Sequence, residues 1–106
     1  MQEQQTRPRN ETTITLVADN IEFNLNTISV PAGAHVTIKF DNKDDSIPHN
    51  LAVYTDSTAS HTIFKGQIIT GPATTTYSFQ APTQPGKYFF RCDIHPTMMY
   101  GDFIAT

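Results

Sequence analysis

Cysteine occurs once in the 106 residues, at Cys92, so no disulfide can form within the chain, and the core, with any bound ion, must hold the fold. Long apolar runs are missing too. No stretch approaches the roughly 18 residues a bilayer-spanning segment needs, and Met1 to Glu11 is polar, without the apolar centre of a secretion signal. Basic residues are few and scattered: seven lysines and arginines sit in a chain of net charge −3. That distribution offers no positive stripe to neutralise phosphates, so nucleic acid is excluded as an expected partner. Low-complexity repeats, long single-sign charge runs and an amphipathic helical period are also absent, which excludes general disorder and a helical bundle.

What is present is one domain's worth of chain. With 38% hydrophobic and 16% charged residues, the composition is that of a globular protein with a single core. Residues 1–11 read as a polar tail or linker and 12–106 as the folded domain. An initiating Met can replace a removed leader, so Met1 says nothing about location, and the tail is compatible with a larger, membrane-anchored parent.

Thr12 to Ala18 is rich in β-branched residues and partly alternates, which favours a strand. Asp19-Asn20 turns it, and Ile21 to Val30 reads as further extended chain. Pro31-Ala32-Gly33 is a turn signal before His35 to Phe40, where Val36, Ile38 and Phe40 share one face and His35, Thr37 and Lys39 the other. Asn50 to Tyr54 reads as a short strand, and Thr55 to Gly71 as irregular chain with brief extended pieces around Ile63 and Ile68. Thr74 to Gln80, Lys87 to Cys92 and Asp102 to Thr106 complete the set. About seven or eight short strands separated by turns predict an all-β, antiparallel sandwich with Greek-key connections.

The chemistry is concentrated in Cys92-Asp93-Ile94-His95-Pro96-Thr97-Met98-Met99-Tyr100-Gly101. A thiolate, an imidazole and thioethers in one loop form a soft-ligand set that suits copper, because Cu(I) favours sulfur and Cu(II) favours nitrogen. His49, in Pro48-His49-Asn50, can supply a second imidazole. A lone cysteine ending an aromatic strand is usually a small buried hydrophobe, but a core cysteine needs no histidine three residues later and no methionine beyond it.

With these residues in view, the chain resembles the cupredoxins, the small blue copper proteins. The resemblance rests on the upstream His-Asn pair, on Cys-x-x-His followed by Met-x-Gly, on Val30-Pro31-Ala32-Gly33 and Phe40-Asp41-Asn42, and on Gly86 to Cys92 leading into the loop. It implies one copper ion held by His49, Cys92 and His95, with a methionine as weak axial ligand. Met98 stands three residues after His95 and Met99 four; the glycine that follows the axial residue after one intervening position in these families favours Met99, with Met98 the alternative. Asn50 would brace the two ligand segments. Ile94, where plastocyanin and amicyanin usually carry proline, keeps an N–H that is expected to reach the Cys92 sulfur.

The implied function is single-electron transfer between Cu(II) and Cu(I) through the exposed edge of His95, with no substrate position and no enzymatic activity. Redox protein partners would dock transiently on an apolar patch of Pro96, Thr97, Met98 and Pro48; a monomer in a periplasmic or extracytoplasmic location is expected. A copper carrier or storage domain, or the electron-transfer domain of a larger copper enzyme, are the alternatives. His35 and His61 are not expected to bind metal, and Asp41, Asp44, Asp45 and Asp56 read as a solvated acidic surface.

Overall fold

Strands form readily where alternation places an apolar side chain inward at every second position, and the described residues form ten short strands. The computed structural model describes residues 11–106. The strands are β1 (Glu11–Ala18), β2 (Thr27–Val30), β3 (His35–Asn42), β4 (Pro48–His49), β5 (Ala52–Tyr54), β6 (Thr62–Lys65), β7 (Ile69–Thr70), β8 (Ala73–Gln80), β9 (Gly86–Arg91) and β10 (Tyr100–Ala105). Glu11, assigned above to the tail, opens β1; the rest of that assignment lies outside the described residues.

One sheet runs β1-β3-β8 and the other β2-β10-β9-β5-β6, while β4 and β7 pair as a separate ribbon. The expected all-antiparallel pairing needs correction, since β1 runs parallel to β3 and β2 parallel to β10. The chain crosses to the opposite sheet after β1 and returns after β2, so β3 lies beside β1 in the same direction, without a hairpin. The extended reading of Ile21 to Val30 also shortens to Thr27–Val30, because Asn20 and Ile21 adopt left-handed backbone (φ 56° and 57°).

The inward faces meet in one core of Leu16, Ile28, Val36, Ile38, Phe40, Leu51, Val53, Phe90 and Phe103, among others. Phe64 stacks on Phe79 at 4.5 Å, and Phe23 lies 6.4 Å from Phe40 and 5.7 Å from Phe90, so aromatic rings tie the two sheets together. Full burial of each such side chain contributes about 1.5–3 kcal/mol. Cys92 and Met99 belong to the same core cluster. The candidate site is thus built at one end of the packed interior, where the ribbon and the β9–β10 loop meet.

Candidate metal centre

The ribbon fixes His49. Its register pairs His49 with Ile69 and Pro48 with Thr70, and the histidine side chain is fully buried. The partner segment is the β9–β10 connection, where β9 pairs with β10 up to Arg91 and Tyr100. Beyond that pair the chain closes on itself: the Cys92 N–H donates to the Met99 carbonyl at 2.9 Å, the His95 N–H to the Cys92 carbonyl at 3.3 Å, and the Met99 N–H to the His95 carbonyl at 3.0 Å. These bonds turn Cys92, His95 and Met99 into one compact loop.

The two segments meet at sulfur. Cys92 Sγ lies 3.7 Å from His49 Nδ1 and 3.7 Å from His95 Nδ1, and one ligand atom from each residue falls within 4.8 Å of the others. Metal–sulfur and metal–imidazole bonds of about 2.3 and 2.0 Å would span 3.7 Å, so each sulfur–nitrogen separation suits one shared ion, and the mixed sulfur–imidazole donors are those of blue-copper sites. The donor set therefore fits one copper ion. Met99 is 1% exposed and Met98 60%, so of the two candidate thioethers only Met99 sits inside with the cysteine.

The glycine that favoured Met99 has a physical cause. A side chain at Gly101 would run into the Asn26 carbonyl and approach Phe90 Cζ at 2.6 Å. This close approach lets the Asp102 N–H reach the Asn26 carbonyl at 3.1 Å, holding the start of β10, and with it Met99, against the β2 side of the sheet.

Asn50 braces the ligand segments as expected. Its Oδ1 accepts the Asp93 N–H at 2.9 Å, and its Nδ2 donates to the Gly66 carbonyl at 3.0 Å and to Asp93 Oδ2 at 3.2 Å. Asp93 also accepts from the Tyr54 hydroxyl at 2.6 Å and from Arg91 Nε at 3.0 Å, and the Arg91 guanidinium sits 4.9 Å from the Tyr54 ring centre. Burial pushes the Asp93 carboxyl up, but the bonds from Tyr54, Asn50 and Arg91 outweigh it and leave the group below its ordinary value. The N–H to sulfur contact expected at Ile94 is not formed: no hydrogen bond joins the Ile94 N–H to Sγ. The turn closed by His95 carries the Ile94 side chain to the surface, 37% exposed.

Asp44 corrects the reading of a uniformly solvated acidic surface. It is 7% exposed, and its Oδ2 meets His49 Nε2 at 2.7 Å. Burial raises its carboxyl, yet the bonds from His49, Ile21 and Asn20 together hold it below the usual value. Sequence reasoning missed it because an aspartate in a polar loop looks solvated; asking what holds the second nitrogen of a ligating histidine was the signal available. The Tyr54–Arg91–Asp93 network was missed for the same reason. His35 and His61 are exposed, and neither belongs to the group formed by His49, Cys92 and His95.

His95 is the outward member. It is partly buried, with Pro96, Thr97 and Met98 exposed around it and Pro48 half-buried; burial and then the neighbouring His49 lower its tendency to take a proton.

A mixed-sheet sandwich with two histidines and a cysteine converging at one end defines the blue-copper class of β-proteins. The chain belongs to the cupredoxin-like domain family, which matches residues 1–105. Among solved structures, auracyanin A from Chloroflexus aurantiacus, described as a blue copper protein, is 22% identical with a TM-score of 0.80, over 91% of this chain and 99% of that one. A dithionite-reduced auracyanin from Roseiflexus castenholzii is 21% identical at TM-score 0.79, over 89% and 96%. Amicyanin from Paracoccus versutus is 20% identical at TM-score 0.62, over 89% and 81%. At these identities the likeness shows the shared fold. No curated protein matches.

Proposed function

We propose that this protein is a mononuclear type 1 copper electron carrier, with His49 Nδ1, Cys92 Sγ and His95 Nδ1 as equatorial ligands and Met99 as the axial one. The observation that carries the reading is the pair of 3.7 Å separations between Sγ and two imidazole nitrogens, which bring residue 49 and residues 92–95 together from separate segments of the chain. Copper, when bound, supplies a one-electron couple. The protein's part is to hold donors that suit both oxidation states in one arrangement, so that little moves when the electron does.

Each residue has a defined share in this. The Cys92 thiolate lies in a dry interior that keeps water from the sulfur. Asn50 and Asp93 lock the two ligand segments together, and His95 offers the route outward. Exposed Met98 and Ile94, with Pro96 and Thr97, give that route an apolar rim suited to brief docking of a redox protein. No position in the ligand set is reserved for a substrate, so we read the chain as a carrier and not an enzyme. An extracytoplasmic location follows from this reading of the copper–thiolate site.

Titration of the metal-free protein with Cu(II) tests it. An intense absorption in the yellow-to-red region, at one ion per chain, is expected. A colourless or weakly absorbing product would reject the assignment. Slow loss of the ion to a chelator, together with reversible reduction, separates a resident redox centre from a copper-delivery site.

A further inference from the structure

The buried carboxylate of Asp44 has no role in the ligand set, yet the structure goes to some length to hold it. Its Oδ1 accepts the Asn20 N–H at 2.7 Å and its Oδ2 the Ile21 N–H at 2.9 Å. Those two residues are consecutive and both left-handed, at φ 56° and 57°, a conformation that points successive N–H groups into one anion-holding concavity. For a β-branched residue such as Ile21 it is a genuine outlier, tolerated only where surrounding structure over-determines it.

From the other side, the Asp44 N–H donates to Asn42 Oδ1 at 2.9 Å, and the buried Asn42 is itself fixed by donating to the carbonyls of Ile47 at 2.8 Å and Ile69 at 3.0 Å. A side chain at Gly71 would collide with the Asp44 backbone carbonyl and with Asn42, so the chain packs tightly against the backbone that carries the carboxylate. Among the described residues no lysine or arginine pairs with Asp44, since the adjacent Lys43 reaches Asp41 instead.

What the carboxylate holds is His49 Nε2, at 2.7 Å. A neutral imidazole has one N–H and one lone pair, and an ionised carboxylate can only accept. The pairing therefore puts the proton on Nε2 and leaves the Nδ1 lone pair facing Cys92 Sγ, the arrangement a metal needs. His95 has no counterpart: among the described residues its ring forms no hydrogen bond except the contact to Sγ. One histidine is clamped and the other is not.

We propose that Asp44 is a positioning residue that fixes the tautomer of His49 and, as a buried negative charge acting through that imidazole, biases the bound copper toward Cu(II). This rests on the copper reading above. The strained Asn20–Ile21 turn is then a device for aiming the carboxylate, placing a determinant of the potential in the β1–β2 loop, far in sequence from every ligand.

The test compares Asp44→Asn with Asp41→Asn, which removes a more exposed carboxylate that does not touch a ligand. Loss of an outer partner of a ligating histidine changes metal affinity about 10–100-fold. If Cu(II) carries that loss, the one-electron potential of Asp44→Asn rises by ~59 mV for each factor of ten, while Asp41→Asn moves it far less. Equal shifts in the two variants, or a fall in Asp44→Asn, would overturn the proposal.

Nitrogen NMR on the metal-free wild-type chain gives an answer even if Asp44→Asn does not fold. His49 is expected as the Nε2–H tautomer, and an Nδ1–H tautomer overturns the idea. A wild-type chain that gives no blue colour with Cu(II) would instead defeat the copper reading, which the tautomer measurement does not address.

Discussion

Replacing Asn50 with alanine should be among the most damaging single changes outside the ligands. The side chain is fully buried and makes three hydrogen bonds, to the Asp93 N–H, the Gly66 carbonyl and Asp93 Oδ2. Alanine leaves the Asp93 N–H and the Gly66 carbonyl without partners, and each orphaned group costs about 1–3 kcal/mol. The third loss is smaller, because the Asp93 carboxylate keeps Tyr54 and Arg91. The two orphaned groups together come to about 2–6 kcal/mol, a large share of the roughly 5–15 kcal/mol that holds a domain of this size folded.

Urea unfolding of the metal-free protein measures this without the contribution of bound copper. With a slope of about 1.5 kcal/mol per molar urea, a loss of about 3 kcal/mol lowers the midpoint by about 2 M and leaves the slope unchanged. Tyr54→Phe is the internal comparison: it removes one bond to Asp93 and orphans no group, since Arg91 still serves the same oxygen, so it should cost about 1–2 kcal/mol. If Asn50→Ala costs less than about 1 kcal/mol, or no more than Tyr54→Phe, the brace between the ligand segments is not what the geometry implies.

Met99→Gln is expected to change the copper absorption spectrum and potential strongly and Met98→Gln only weakly; the reverse pattern would transfer the axial role to Met98. Gly101→Ala should destabilise the fold by about 1–3 kcal/mol by forcing a methyl into Asn26 and Phe90, readable as a lower thermal midpoint of the metal-free chain. Because the Asp93 carboxyl is depressed below 3.8 in the folded state, the stability it contributes is whole well above about pH 4 and is lost as the pH falls through the folded value. Stability of the metal-free protein measured from about pH 7 down to about pH 2.5 should therefore fall less steeply in Asp93→Asn than in the wild type.

The sequence carried the parts of the fold that depend on period and composition. Val36, Ile38 and Phe40 announced the buried face of β3, and the brief extended pieces expected near Ile63 and Ile68 are β6 and β7. Neighbours were less legible. Alternation tells which face of a strand is buried but not which strand lies beside it, so the parallel β1–β3 and β2–β10 pairings were invisible. The cysteine loop was legible because its residue types are rare together. Asp44 was not, since a carboxylate reads as solvated until its partners are placed in space, and those partners, His49 and the N–H groups of Asn20 and Ile21, come from two separate segments.

On the proposals above the two histidines do different work, and the difference can be separated experimentally. His49 is enclosed and held at its far nitrogen by a fixed anion, so changes around it alter the relative stability of the two copper states. His95 is held through the loop backbone and reaches an apolar rim, so on the carrier reading proposed above changes at Met98 or Ile94 are expected to alter how a redox partner docks while leaving the donor set untouched. Substitutions near Asp44 should then move the potential with little effect on docking, and Met98→Ala or Ile94→Ser should slow exchange with a protein partner at an unchanged potential and spectrum. A rim substitution that shifted the potential as much as Asp44→Asn would mean that the site is not insulated from its surface, and that the holding and passing of the electron are not divided between the two imidazoles.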